Sequence, residues 1–178
     1  EDGGPDGLEP EILSKPPGAR PNILLIMADD LGYGDLGCYG SDFILTPVLD
    51  QMAAQGMKLT NFATNSPGCT PSRVSILTGT MATYHGFVAV NKNDTHRGIP
   101  KALTTLGEVL RVAGYNTGHV GKWHIGEDLD QNTKEFLPPA LGFDWSARLF
   151  IPTQQTHWSP LMVLNEQTNV PHPGEHST

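Results

Sequence analysis

The chain has 178 residues, with 11 Lys+Arg against 19 Asp+Glu and a formal net charge of −8. That length suits a domain with a real core, and the acidic balance argues against a nucleic-acid or anionic-membrane partner, because phosphate binding needs clustered Lys and Arg. The longest apolar run, Ile23–Ala28, falls far short of the ~20 residues of a membrane span, and two cysteines, Cys38 and Cys69, are too few for a disulfide scaffold and lack the spacing of a zinc site.

Residues Glu1–Arg20 are rich in Gly, Pro and acid, without periodicity, and are expected to form a flexible leader. They lack the basic-then-apolar order of a signal peptide. From Pro21 to about Trp145 the pattern is that of a folded domain. Asn22–Ala28, bounded by Pro21 and Asp29-Asp30, has the look of a strand buried on both faces, as in a parallel sheet. A glycine-rich loop (Gly32, Gly34, Gly37, Gly40) comes next. Thr46-Pro47 predicts a helix start, Val48, Leu49, Met52 and Ala53 its apolar side, and Gly56 its end. Lys58–Thr64 alternates weakly and is a second strand candidate. Thr70-Pro71 repeats the cap-plus-proline signal, for a second helix ending at Gly79. Leu103–Ala113 reads as a third helix stopped by Gly114, and Tyr115–Val120 as a further strand. Strands alternating with helices imply an α/β fold, a mainly parallel sheet flanked by helices on both faces. From 146 to 178 the order fades into a polar, proline-punctuated tail in which only Leu161–Leu164 reads as a strand.

Three places carry chemistry. Asp29-Asp30 lies directly after the first strand, where open α/β sheets bind their ligands. Two adjacent carboxylates there suit a hard cation, Ca²⁺ or Mg²⁺, and equally suit a solvated turn. Cys69 lies just before a predicted helix, whose free N–H groups favour a thiolate and attract an oxyanion; Arg73, one turn on, can bind a tetrahedral oxyanion with its fork of donors. The spacing Cys-x3-Arg is not the phosphate loop of cysteine phosphatases, and a small buried cysteine beside a Thr-Pro cap is the plainer reading. Lys122 and His124, one residue apart in extended chain, would point the same way toward one anion, or be simply an exposed Lys and a hydrogen-bonded His. Together these residues make an inventory for transferring a phosphoryl or sulfuryl group with a divalent metal.

The residues Pro21–Gly32 (PNILLIMADDLG) resemble the opening of sulfatases of the alkaline-phosphatase superfamily. Cys69-Thr70-Pro71-Ser72-Arg73, continuing to Leu77-Thr78-Gly79, is similar to their first signature, and Gly114–His124 (GYNTGHVGKWH) to their second. Gly142-Phe143-Asp144 resembles a short motif found after it in many members. Order and spacing agree over 21–145, closest to the arylsulfatase and steroid-sulfatase group.

The resemblance implies an alkaline-phosphatase-like fold and a sulfuric ester hydrolase. Cys69 would be oxidised to formylglycine by the formylglycine-generating enzyme. The hydrated aldehyde would attack the sulfur with one hydroxyl and expel the alcohol, then lose sulfate through the other hydroxyl as the aldehyde re-forms. Asp29, Asp30 and the Cys69-derived oxygen would ligate Ca²⁺, with Mg²⁺ the lesser candidate. Arg73 would steady the hydrate, Lys122 would bind sulfate oxygens and His124 would act as hydrogen-bond partner or base. Substrates would be sulfate-ester small molecules or glycans. The protein would travel the secretory pathway to the lysosome or the exterior, with Asn93-Asp94-Thr95 a glycosylation acceptor.

This sequence departs from the family pattern at Gly68 and at Thr80-Met81, and the expected second metal pair, His and Lys cannot be placed in 146–178. The chain thus reads as the N-terminal portion of a sulfatase, its metal shell about half of the 6–8 oxygens that Ca²⁺ takes. The alternatives are a phosphodiester or phosphonate hydrolase of the same superfamily, or a non-catalytic truncated isoform.

Overall fold

A computed structural model describes residues 20–88, 98–126, 134–149, 162–164 and 167–170. The leader up to residue 19, the Asn93 motif and most of the tail lie outside the described residues. The chain divides into two compact units, 1–62 and 63–178.

In the first unit, residues 22–28 carry no strand assignment. Ile23, Leu24, Leu25 and Ile26 are 56%, 83%, 57% and 67% exposed, so the expected doubly buried strand is not what the structure shows. A strand needs a hydrogen-bonded neighbour, and the sheet of this chain is built from later residues. Lys58–Thr64, the second strand candidate, is irregular for the same reason, with Leu59 and Phe62 exposed. Helix α1 spans Pro47–Gln55, as the Thr46-Pro47 signal predicts, and Gly56 ends it. Thr46 does not cap its own helix. Its hydroxyl instead accepts from the Gly37 N–H (2.9 Å) and donates to Asp50 Oδ1 (2.9 Å), which also accepts the Cys38 N–H at 2.6 Å. These bonds tie the glycine loop to the first turn of α1. The helix side expected to be buried is largely exposed, Val48 at 69% and Met52 at 56%.

The second unit holds the core. Helix α2 spans Cys69–Thr78, helix α3 spans Leu106–Val112, and the strands are β1 (Gly118–Lys122), β2 (Trp145–Leu149), β3 (Met162–Leu164) and β4 (Gln167–Val170). The sheet order is β1-β2-β3-β4. β1 and β2 run parallel in the register Gly118↔Trp145 to Lys122↔Leu149, while β3 and β4 add antiparallel. The sheet is therefore mixed, with one parallel pair among the described strands. β1 starts three residues later than Tyr115–Val120 would have it, because Thr117 is bound into the turn before it. The region from 146 onward supplies most of β2 and all of β3 and β4.

Val74 of α2, Ala82, Phe87, Ile99, Trp123, Ile125, Leu137 and Leu141 form the buried cluster. α3 begins with a reciprocal cap: the Thr105 hydroxyl accepts from the Glu108 N–H (3.2 Å), and the Glu108 carboxylate accepts from the Thr105 N–H (2.8 Å). The cap shortens the expected helix at its start. Thr105 also donates to the Leu141 carbonyl at 2.6 Å, which binds α3 to the turn at 138–142. Gly142 closes that turn at φ 92°, and a Cβ there would collide with the Glu108 nitrogen. Only glycine allows this approach. Thr117 completes the junction. Its N–H (2.9 Å) and hydroxyl (3.0 Å) meet Asp144 Oδ2, and the hydroxyl lies 2.7 Å from the Gly142 carbonyl.

Candidate active site

The start of α2 is built from short polar bonds. Gly68 is extended (φ −90°, ψ 142°) and stands at the cap position, so Cys69 is the first helical residue. This is earlier than the Thr70-Pro71 signal suggests. The Thr70 hydroxyl leaves its own helix and donates to the His124 carbonyl at 3.1 Å, while Ser72 Oγ donates to the Ser66 carbonyl at 2.6 Å. Pro71 has no N–H to satisfy, which suits the first turn. Buried Pro71 and Val74 fix the helix against the core. Cys69 and Arg73, four residues apart, then share a helix side.

What they meet is the end of β1. Cys69 Sγ lies 3.2 Å from His124 Nδ1, and Arg73 Nη1 donates to the Lys122 carbonyl at 2.5 Å. Between Lys122 and His124, Trp123 is buried at 1% exposure, with its indole N–H on the Phe136 carbonyl (2.9 Å). Cys69, Arg73, Lys122 and His124 are all half-buried; Cys69 meets the His124 ring, and Arg73 meets Lys122 at its backbone carbonyl. The alternation argument for Lys122 and His124 does not apply, however. His124 adopts φ 58°, a left-handed backbone rather than an extended one, and this turn carries its ring to Cys69.

Asp29 and Asp30 lie in the other unit, exposed, at the bend after residues 22–28. Asp30 is also left-handed, at φ 56°; it and His124 are the two non-glycine residues with positive φ among the described residues. Carboxylates of this kind suit a hard cation in donor type. Yet no group of three or more His, Cys, Asp or Glu is gathered to hold a metal ion among the described residues. The residues present do not make a calcium shell by themselves. Cys38, half-buried, is bound through its backbone to Asp50 and to Lys58 Nζ (2.8 Å).

Sequence reasoning missed His119 and Arg148. His119, in β1, packs edge-on against Trp123 and Phe143, with ring centroids at 5.0 and 5.7 Å. Burial first, then the charges of Arg73 and Arg148, push its imidazole down to about 4. Arg148, 5% exposed, comes from β2 beyond the motif-bearing region. The signal that could have pointed to His119 is its place two residues before Gly121-Lys122. Asp144 is held below the ordinary carboxylate range by the Thr117 N–H and next by its hydroxyl.

The profile of the Sulfatase family matches residues 21–176. The chain belongs to the sulfatase family. Human arylsulfatase A is 48% identical over 124 residues, covering 69% of this chain and 24% of the relative. Steryl-sulfatase of Rattus norvegicus is 45% identical over 136 residues, covering 72% and 23%. The crystal structure of Ps i-CgsB in complex with k-i-k-neocarrahexaose superposes with a TM-score of 0.67 at 32% identity, over 75% of this chain and 29% of that one. This sulfatase chain thus spans about a quarter of the length of the curated relatives it matches. Its fold is the α/β fold of those neighbours, alkaline-phosphatase-like and incomplete. No helix of the described residues is long and apolar enough to cross a membrane.

Proposed function

We propose that this sulfatase chain carries the nucleophile half of a sulfuric ester hydrolase site, centred on Cys69. The observation that supports it most is the contact of Cys69 Sγ with His124 Nδ1 at 3.2 Å, beside an Arg73 tethered to Lys122. The sulfur stands where an oxygen of formylglycine would be, and such an oxygen would find a hydrogen-bond partner ready. Once formed, the formylglycine hydrate would supply one hydroxyl to attack sulfur with loss of the ester alcohol, and a second to expel sulfate as the aldehyde re-forms. His124 would take a proton from the side chain of residue 69 when Nδ1 is unprotonated, and give one back when Nδ1 carries it. Arg73 sets a guanidinium beside that side chain and opposes the negative charge that builds there. Lys122 offers an ammonium to sulfate oxygens. Asp29 and Asp30 would contribute carboxylates to Ca²⁺ or Mg²⁺, which would supply charge to draw electrons from the sulfate oxygens.

The names of the relatives support sulfate esters of aryl or steroid alcohols as substrate class, and the oligosaccharide bound to Ps i-CgsB supports glycans. The modification requires the formylglycine-generating enzyme, hence the secretory pathway with a lysosomal or extracellular destination, where Asn93 would be glycosylated. Peptide mass over Cys69 is the first test: a loss of about 18 Da relative to cysteine is expected, and an intact thiol in protein secreted by eukaryotic cells would sink the reading. On a chromogenic aryl sulfate, the isolated 178-residue chain should turn over little, because its described residues gather no group of three or more metal-holding side chains. A chain extended to the length of its relatives should be active, lose activity on Cys69→Ala, and prefer sulfate over a phosphate diester.

A further inference from the structure

Residues 22–28 have no part in the chemistry above. The segment is uncharged and holds neither proline nor glycine. Among the described residues its backbone enters no strand pairing and no hydrogen bond between elements, and none of its residues has a positive φ. A backbone with unpaired N–H and C=O groups is a template for another strand. Ile23 and Leu25 alternate with Leu24 and Ile26, so the segment, once extended, is apolar on both faces. At 56%, 57%, 83% and 67% exposure in that order, these four leave roughly 500 Å² of mainly apolar surface open, more than a monomer commonly shows in one patch. Phe43 (96%), Leu45 (90%) and Val48 (69%) of the same unit add about as much again, and the total exceeds the ~800 Å² per partner of a stable interface.

We propose that two copies of this chain associate through residues 22–28, paired antiparallel about a two-fold axis at Leu25. Such an axis must pass through a residue, because only then do opposed side chains share a face. At Leu25 it sets Leu24 opposite the partner's Ile26, Ile23 opposite the partner's Met27 and Asn22 opposite the partner's Ala28. Charge selects this register. It brings Arg20 of each copy beside the Asp29-Asp30 pair of the other, at both ends of the ladder. An axis at Leu24 would set Arg20 against Ala28, and one at Ile26 would set Asp29 against Ile23. With Leu25 in a non-hydrogen-bonded pair, Pro21 falls in one too, where its missing N–H costs nothing. When the copies separate the segment is exposed again, so truncating it costs the fold of one chain little. The association does not depend on the sulfatase chemistry.

The experiment is sedimentation equilibrium of the full 178-residue chain over about a hundredfold range of concentration. The mass is expected to rise from one chain to two and to stop there. Leu25→Lys sets two ammonium groups across the axis and should weaken association at least about tenfold, with an unchanged circular dichroism spectrum. Oxidised Leu25→Cys chains should join at position 25, mapped by peptide mass, whereas Ile23→Cys chains should not join at 23, since the two sites lie about 14 Å apart along the ladder. A chain that stays single at every concentration, association indifferent to Leu25→Lys, growth beyond two chains, or equal cross-linking at 23 and 25 overturns the proposal. Should Leu25→Lys fail to fold, the wild-type mass and the two cross-links decide.

Discussion

Two apolar stretches of this chain meet opposite fates. Residues 22–28 are the more apolar, yet Leu24 is 83% exposed and the segment pairs with no described strand. Residues 118–125 are interrupted by Gly, His and Lys, yet Trp123 and Ile125 are buried at 1% and 0%. The difference is supply of partners. β1 finds β2 in the same chain, and Trp123 and Ile125, just past its end, share a buried cluster with Val74 of α2 and with Leu137 and Leu141. Residues 22–28 have the composition of a central strand without the neighbours. Apolar composition states what a segment requires; pairing within the chain decides whether it is met.

The sharpest way to break this contrast is to truncate one residue from each stretch. Trp123→Ala should lower the unfolding free energy by about 3–5 kcal/mol, through lost packing and the lost bond to Phe136. Leu24→Ala should change it by less than about 0.5 kcal/mol. Urea melts of the two variants giving equal losses would end the comparison.

Acid should act on the second unit. His119 is pushed down to about 4 from an ordinary 6.5, so the unfolded chain takes the proton first. Stability is then full above about pH 6.5, falls as pH drops, and has lost at most about 3 kcal/mol once pH passes below the folded value. Denaturation midpoints measured across that window should slope in the wild type and flatten in H119Q. Asp144 adds loss in the same direction as pH falls through the carboxylate range.

Gly142 and Gly40 give a third comparison. Both have left-handed backbones, at φ 92° and 104°, but a Cβ at Gly142 collides with the α3 backbone while one at Gly40 meets nothing within 4 Å. Gly142→Ala should cost about 2 kcal/mol or more and Gly40→Ala about 1 kcal/mol, read by thermal melting. The smallest expected effect separates two threonines. Thr105 caps its helix and should cost about 1 kcal/mol as Ala, whereas Thr46 does not cap and should cost less, which calorimetry of the pair can resolve.

Much of the candidate site was legible because it depends on local grammar. Gly79 ends α2, Thr46-Pro47 opens α1, Cys69 meets His124, and Arg73 meets the Lys122 carbonyl. The Gly-Phe-Asp motif also makes sense in space, its glycine under α3, its phenylalanine on His119 and its aspartate on Thr117. What stayed hidden is non-local. Strand pairing of β2 with β1 spans 27 residues, the cap at Thr105 competes with a longer helix, and His119 and Arg148 are neighbours only because of register. The left-handed turn at His124 has no glycine to announce it.

That turn has a practical corollary for anyone engineering the chain. At Asp30 and His124 a glycine would ease the backbone by roughly 1 kcal/mol, since only glycine visits that region at little cost. A random library sorted for heat resistance would be drawn to these two positions, and its hardiest members would be the ones stripped of a carboxylate and an imidazole that the proposed chemistry uses. Thermal selection on this scaffold should therefore hold residues 30 and 124 fixed.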